Sequence, residues 1–271
     1  MSQIERATSA DYSLFRTLFE ELHTGDPPTP VATFERDIVP NMWVARDDSG
    51  AALGYVFGQV FGGACYVRHI VTSPLARRKG VARALLQIIA EDARSKGANS
   101  IELNVKLGND AAIALYRGFG MVPVYETSVL HLRWKDVPKL LNGREPSRVT
   151  PSQTQEIEAR FRLPPGLIAG HAASSEHVVC ATRDARGSVS GVASFTPTFP
   201  GIFPLRATSV EDGWRLIAAM RPFAIEISDA ERPWRQDGVQ VAVEDAREVA
   251  ASLEQHGASP VFRIVHMRGP L

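Results

Sequence analysis

The 271-residue sequence predicts an α+β protein of two related domains, and three observations carry that expectation. Strand-like apolar runs alternate with amphipathic helical runs along the chain. A polar stretch from Lys135 to Pro151, punctuated by Pro138, Asn142-Gly143 and Pro146, interrupts them near the middle. The two halves then end alike. Gly120-Met-Val-Pro-Val-Tyr leads to Val129-Leu-His-Leu-Arg, and Gly257-Ala-Ser-Pro-Val-Phe leads to Ile264-Val-His-Met-Arg, as an internal duplication would leave them. The expected division is residues 1–135, a linker at 136–151, and residues 152–271.

In order, Asp11 to His23 places Leu14, Phe15, Leu18, Phe19 and Leu22 at helical spacing, and the Gly/Pro-rich run 25–30 ends it. Phe34 to Val39 reads as a second short helix. Met42 to Arg46, Ala52 to Phe61 and Ala64 to Thr72 read as strands, the first two joined by the turn Asp47-Asp48-Ser49-Gly50. Val81 to Lys96 carries Val81, Leu85, Ile88, Ile89 and Ala93 on one face and stops at Gly97. Ile101 to Val105 is a strand, Asp110 to Arg117 a short helix, and Val122 to Tyr125 and Ser128 to Trp134 two closing strands. In the second half, Gln153 to Phe161 and Val210 to Met220 read as helices, the latter capped by Ser209. Val178 to Thr182, Val189 to Thr196 and the run near Ile202 to Ala207 read as strands.

Thirty basic residues balance thirty acidic ones, which argues against nucleic acid as a generic partner. Cys65 and Cys180 lie far apart in strand-like runs and read as small buried hydrophobes of a reducing compartment. No apolar run approaches membrane-spanning length, so a cytoplasmic protein without a membrane partner is expected.

The most informative segment is Arg77-Arg-Lys-Gly-Val-Ala82, a basic turn between a strand and a helix start. Backbone N–H groups, the helix dipole and the guanidinium charges there would all favour phosphate, and Gly80 lets a ligand come close. Alone, the turn is equally compatible with a basic, solvated helix start.

The flanking residues Ile70-Val-Thr-Ser-Pro-Leu-Ala-Arg-Arg-Lys-Gly-Val-Ala-Arg-Ala-Leu-Leu resemble the signature of the GNAT superfamily of N-acetyltransferases. Arg77, Gly80 and Ala82 fit its Q/R-x-x-G-x-G/A pattern. Downstream, Asn109 to Met121 resembles the family's N-x-x-A-x-x-L-Y-x-x-x-G-F, with Met121 replacing the last Phe. The resemblance covers about residues 3 to 134 and the second half more faintly. It implies two GNAT-like domains, each a mixed, mostly antiparallel sheet flanked by helices and, in the first, parted to admit acetyl-CoA. It also implies site residues. The backbone of Ile70, Val71 and Thr72 would pair with the pantetheine arm, and the turn through Arg77, Arg78, Lys79, Gly80, Val81, Ala82 and Arg83 would hold the pyrophosphate. Asn109 would contact the cofactor near its reactive end, and Tyr116 would protonate the departing thiolate. The bland reading of Tyr116 is a core aromatic with a wet tip.

The activity so implied is acetyl-CoA-dependent N-acetylation of a small-molecule or peptide amine, without metal. The alternative is a non-catalytic acyl-CoA-binding or regulatory module. A base is harder to place. Ribosomal-protein acetyltransferases of this family use a Glu five residues before the Asn, where this chain has Asn104. Glu102 lies one pleat away on the same face. The fourth-strand positions used by other members hold Tyr66 and Arg68. His69 beside them is a weak candidate base, on the opposite face unless a bulge re-aims it. Glu20, Glu21, His23 and Asp26 stand where acceptor loops are expected. The second half has Thr208-Ser-Val-Glu-Asp212 in place of the basic turn and no tyrosine near His256, so it is expected to be a degenerate copy.

Overall fold

The computed structural model describes residues 3–23, 29–61, 63–138, 145–225 and 237–271. They form two compact units. The first comprises Met1–Val105, Asn109–Val124 and His266–Leu271, and the second comprises Lys106–Gly108 and Tyr125–Val265.

In the first unit β1 (Gln3–Arg6), β2 (Met42–Arg46), β3 (Ala52–Phe61) and β4 (Ala64–Thr72) pair antiparallel in that order. Helix α1 (Tyr12–Phe19) puts Phe15 and Leu18 onto one face of this sheet. A three-residue α2 (Val31–Thr33) runs into a wide π turn, Phe34–Ile38, which turns both Phe34 and Ile38 into the same core. The other face is covered by α3 (Val81–Ser95), which buries Val81, Leu85, Leu86, Ile89, Ala90 and Ala93. Strand β5 (Ser100–Lys106) then pairs parallel with β4, and α4 (Asp110–Arg117) follows. The other neighbour of β5 is the closing strand of the chain, Ser259–Pro270, of which His266–Pro270 belongs to this unit.

The second unit repeats the order. After β6 (Val122–Arg133) and β7 (Ser147–Arg148) come α5 (Thr154–Phe161), α6 (Leu167–Ala173), β8 (Val178–Arg183), β9 (Val189–Thr196) and β10 (Gly201–Ala207). Then follow α7 (Val210–Met220), β11 (Gly238–Glu244), α8 (Arg247–Gln255) and β12 (Ser259–Pro270). Strands β7 to β10 pair antiparallel, β10 and β11 parallel, and β11 pairs antiparallel with β6 from Gly238↔Arg133 to Glu244↔Thr127. Thus β7-α5-α6-β8-β9-β10-α7-β11-α8-β12 matches β1-α1-α2-β2-β3-β4-α3-β5-α4-β6: the chain contains the same mixed, mostly antiparallel α+β arrangement twice.

The units do not divide at residue 135. The two closing strands, each 12 residues long, are exchanged: β6 pairs with the fifth strand of the second unit, and the end of β12 stands beside that of the first. Residues 125–133 therefore count with the second unit and 266–271 with the first. The two closing strands expected between Val122 and Trp134 are one, since Pro123 sits near its start, where a missing N–H is tolerated. Within the expected linker, Ser147 and Arg148 are already strand, while 139–144 lie outside the described residues.

Candidate active site

The site begins with a bulge. Phe57 pairs with His69 but Gly58 pairs with Val67, so Arg68 is an extra residue on β4. The bulge reverses which residues face which side. Val67 and Cys65 lie opposite Gly58 and Val60, on the face where a Cβ at Gly58 would meet Ile89 of α3. His69 and Val71 lie opposite Phe57 and Tyr55, on the α1 face. The register of β4 with β5 runs from Ala64↔Ser100 to Val67↔Leu103 and ends there. Beyond it, Ile70, Val71 and Thr72 continue paired to β3 through Val56, Tyr55 and Gly54. The two parallel strands part where β4 bends, which turns one backbone edge of Ile70–Thr72 toward a gap.

That edge leads into the basic turn. Pro74–Ala76 make one 3-10 turn, Arg78 and Gly80 adopt positive φ (64° and 81°), and α3 starts at Val81. The first intrahelical bond is donated by Ala84 N–H to the Gly80 carbonyl, so the N–H groups of Val81, Ala82 and Arg83 point out of the helix end. A Cβ at Gly80 would meet nothing within 4 Å, so glycine serves the backbone conformation and keeps this end open. Two of the basic side chains have protein partners. Arg77 Nη2 donates to Glu21 Oε2 at 2.6 Å, and Arg83 Nη2 donates to the Gly118 carbonyl at 3.4 Å. Arg78 and Lys79 are exposed.

The Arg83–Gly118 bond is where the two sequence motifs meet. Gly118 ends α4, two residues after Tyr116, so the start of α3 is tied to the helix that carries the tyrosine. Asn109 is the N-cap of α4, its Oδ1 accepting from Ala112 N–H at 3.3 Å. Tyr116 is 5% exposed, and burial pushes its phenol above the ordinary value of 10. It is a neutral donor at any physiological pH.

The acid–base candidates fall in two groups. His69 sits among Phe15, Phe19, Tyr55 and Phe57, with ring centroids 5.3–6.2 Å away. Its Nδ1 lies 3.4 Å from Tyr55 Oη. Burial, helped by the charge of Arg68, lowers its pKa to about 4, so it is neutral and a weak base. The second group sits on β5 and the end of β12. Glu102, 6% exposed, accepts from His266 Nε2 at 3.1 Å and from Arg268 Nε at 2.7 Å, and His266 Nδ1 lies 3.0 Å from Asn104 Oδ1. Burial alone would push the Glu102 carboxyl up. The His266 hydrogen bond and the Arg268 guanidinium outweigh it and hold the group below the ordinary carboxylate range. The His266 ring stacks on Tyr66 at 6.1 Å and 24°, and the Arg68 guanidinium also lies over the Tyr66 ring, 4.9 Å from its centroid.

Sequence reasoning did not find His266 or Arg268. Their signal was the Val-His-Met-Arg tail itself, which puts both on one face of a strand, but only strand exchange brings them to Glu102. Of the acceptor-loop candidates, Glu21 is engaged by Arg77, Glu20 begins a 3-10 turn, and His23 ends it at φ 48°. Asp26 lies outside the described residues. Cys65 and Cys180 are buried free thiols, and burial pushes Cys65 up to about 11, far from a poised nucleophile.

The corresponding place in the second unit is built differently. The β10–β11 register runs to Leu205↔Val243, close to both strand ends. There the buried Arg206 and Glu244 pair at 3.1 Å. Ser209 caps α7, whose first turn carries Glu211 and Asp212. A cavity of about 540 Å³ remains, bounded by Arg160, Arg206, Ser209, Glu244 and Arg247.

In the first unit, then, a parallel strand pair parts beside a helix start with outward N–H groups, and Arg83 ties that start to the helix that carries a buried neutral phenol. Residues 11–121 match the acetyltransferase (GNAT) family model. The N-alpha-acetyltransferase RimI of Mycobacterium tuberculosis is 32% identical over 119 residues, which are 42% of this chain and 73% of that protein. The chain belongs to the GNAT acetyltransferase family. Its fold is similar to that of a GCN5-related N-acetyltransferase from Sphaerobacter thermophilus (TM-score 0.65, 15% identity, 99% of this chain and 95% of that one). It is also similar to a tandem GNAT protein from the clavulanic acid biosynthesis pathway (TM-score 0.59, 16% identity, 100% and 98%). Both likenesses span the whole chain, so the two-domain fold is shared and not only its first half. No helix among the described residues is long and apolar enough to cross a membrane.

Proposed function

We propose that the first unit is an acetyl-CoA-dependent N-acetyltransferase that passes the acetyl group directly to a primary amine, and that the second unit is a degenerate copy. The observation that carries this reading is the Arg83–Gly118 contact, which ties the anion-ready start of α3 to the end of the helix that carries the buried Tyr116. The residues present fit the donor. The unpaired edge of Ile70, Val71 and Thr72 suits an amide-bearing arm. The outward N–H groups of Val81, Ala82 and Arg83, with the charges of Arg78 and Lys79, suit a pyrophosphate. Asn109 caps α4 at the end of the cleft where the thioester would lie. Acetyl-CoA, when bound, supplies an activated acyl carbon on a thiol leaving group.

The chain's own part is to orient, exclude water and manage two protons. Tyr116 keeps its proton until the leaving sulfur carries charge and then donates to it, an interaction strengthened by burial. The acceptor is a small-molecule or peptide amine. In the second unit, acidic residues at the α7 start disfavour a pyrophosphate, and the β10–β11 pairing that runs close to both strand ends, with the Arg206–Glu244 pair beyond it, disfavours a pantetheine arm.

A thiol-release assay with acetyl-CoA against polyamines, aminoglycosides, amino acids and peptide N-termini tests the reading. Amine-dependent release of CoA is expected for at least one class. Tight CoA binding without release for any amine would favour the alternative, a non-catalytic acyl-CoA-binding module.

A further inference from the structure

We propose that His266 is the general base of the transfer, with Glu102 as its orienting partner; the inference rests on the acetyltransferase reading above. His266 belongs to the first unit although it lies 150 residues beyond Tyr116 in sequence. It is 4% exposed, and its two ring nitrogens are both addressed: Nε2 by Glu102 and Nδ1 by Asn104.

These two neighbours accommodate both protonation states that a base must visit. With Nε2–H donating to the carboxylate and Nδ1–H donating to Asn104 Oδ1, the ring is an imidazolium, the state after proton capture. Half a turn of the Asn104 amide presents Nδ2–H to Nδ1 and fits the neutral ring, since amide orientation follows the hydrogen bonds available. Glu102 stabilises the cation in either case, as a carboxylate behind a catalytic imidazole does.

Asn104 is exposed while His266 and Glu102 are buried, and it is the Asn104 amide that meets Nδ1, at 3.0 Å. An acceptor amine, or one water bound to it, that takes the place of the amide reaches Nδ1 directly. The step balances without any further reactant. The amine nitrogen forms the new bond to the acyl carbon, the carbon–sulfur bond breaks, and sulfur takes a proton from Tyr116. The amine proton goes to His266 Nδ1, and solvent returns one proton from the imidazolium to the phenolate.

The other titratable groups are less suited. Both Glu102 oxygens are occupied, by His266 and Arg268. His69 is enclosed by aromatic rings and holds protons only near pH 4. The charged and titratable groups around His266 include Glu102, with Arg268 on the same carboxylate, and Tyr66 stacked on the ring with Arg68 against it.

The test uses the full chain, acetyl-CoA and the amine selected by the thiol-release panel, at saturating acceptor. His266→Gln should lower kcat about 100-fold, remove the ascending limb of the pH profile, and leave the calorimetric Kd for CoA within about threefold. His266→Ala should regain part of that rate with added imidazole, which a structural role would not permit. Should the His266 variants fail to fold, Glu102→Gln carries the test: loss of the carboxylate should move the ascending limb to lower pH at unchanged CoA affinity. An unmoved limb in Glu102→Gln, or near-normal kcat in His266→Gln, overturns the role of His266 while leaving the transferase intact. A wild-type protein silent with every amine overturns both.

Discussion

Tyr116 is buried and His69 half-buried in the first unit, yet burial acts on them in opposite chemical senses. For Tyr116 it raises the cost of the phenolate and so preserves a proton donor. Tyr116→Phe should therefore lower kcat about 100-fold or more with CoA affinity within a factor of two, read by thiol release and calorimetry. For His69 burial raises the cost of the imidazolium. The unfolded imidazole binds protons below its ordinary pKa of 6.5 while the folded one refuses them until about pH 4. Stability is then fully present above pH 6.5 and is lost as the pH falls toward 4, a slope of about 1.4 kcal/mol per pH unit in that window. His69→Phe, which suits the ring of aromatics, should flatten that slope in chemical denaturation at pH 4.5 to 7. Tyr116 was legible because its spacing from Asn109 and Gly120 forms a motif. His266 was not, because nothing local in the sequence records which strand it will stand beside.

At the scale of elements, the turn before α3 depends on one glycine for a conformational reason. Gly80 has φ 81° and open space around its absent Cβ. Gly80→Asn should be tolerated, while Gly80→Val should cost about 1–2 kcal/mol of stability and weaken CoA binding. Paired variants Arg78→Ala and Lys79→Ala should leave stability unchanged and raise the Kd for CoA, most strongly at low salt, as calorimetry at two ionic strengths would show. Most elements could be read from apolar spacing: α3, α4, β3 and β4 stand where the pattern puts them, within a residue or two. The bulge at Arg68 could not, since a strand with an extra residue has the same composition as one without. Its effect is decisive, because it moves His69 from the face of Val67 to the face of α1.

At the scale of the whole molecule, the duplication was visible in the two tails, but their destination was not. Similar strands carry no local mark of which half they complete, and most of β6 and the end of β12 are in the unit formed mainly by the other half. Domain boundaries drawn at 135 and 152 followed composition, whereas the exchange follows long-range pairing. The second unit has the same order of elements without the basic turn, and at the ends of its parallel strands the buried Arg206 and Glu244 pair. Arg206→Met would remove the guanidinium 3.1 Å from the buried Glu244 and should destabilise the protein by about 3–5 kcal/mol, with CoA affinity retained at temperatures where the chain stays folded. The central claim, one donor site in a chain of two related units, is tested most directly by calorimetric titration of the full chain with acetyl-CoA. One molecule per chain, with affinity markedly reduced in the Arg78→Ala, Lys79→Ala variant, is the predicted result; two molecules per chain, or one whose affinity ignores those substitutions, would contradict it.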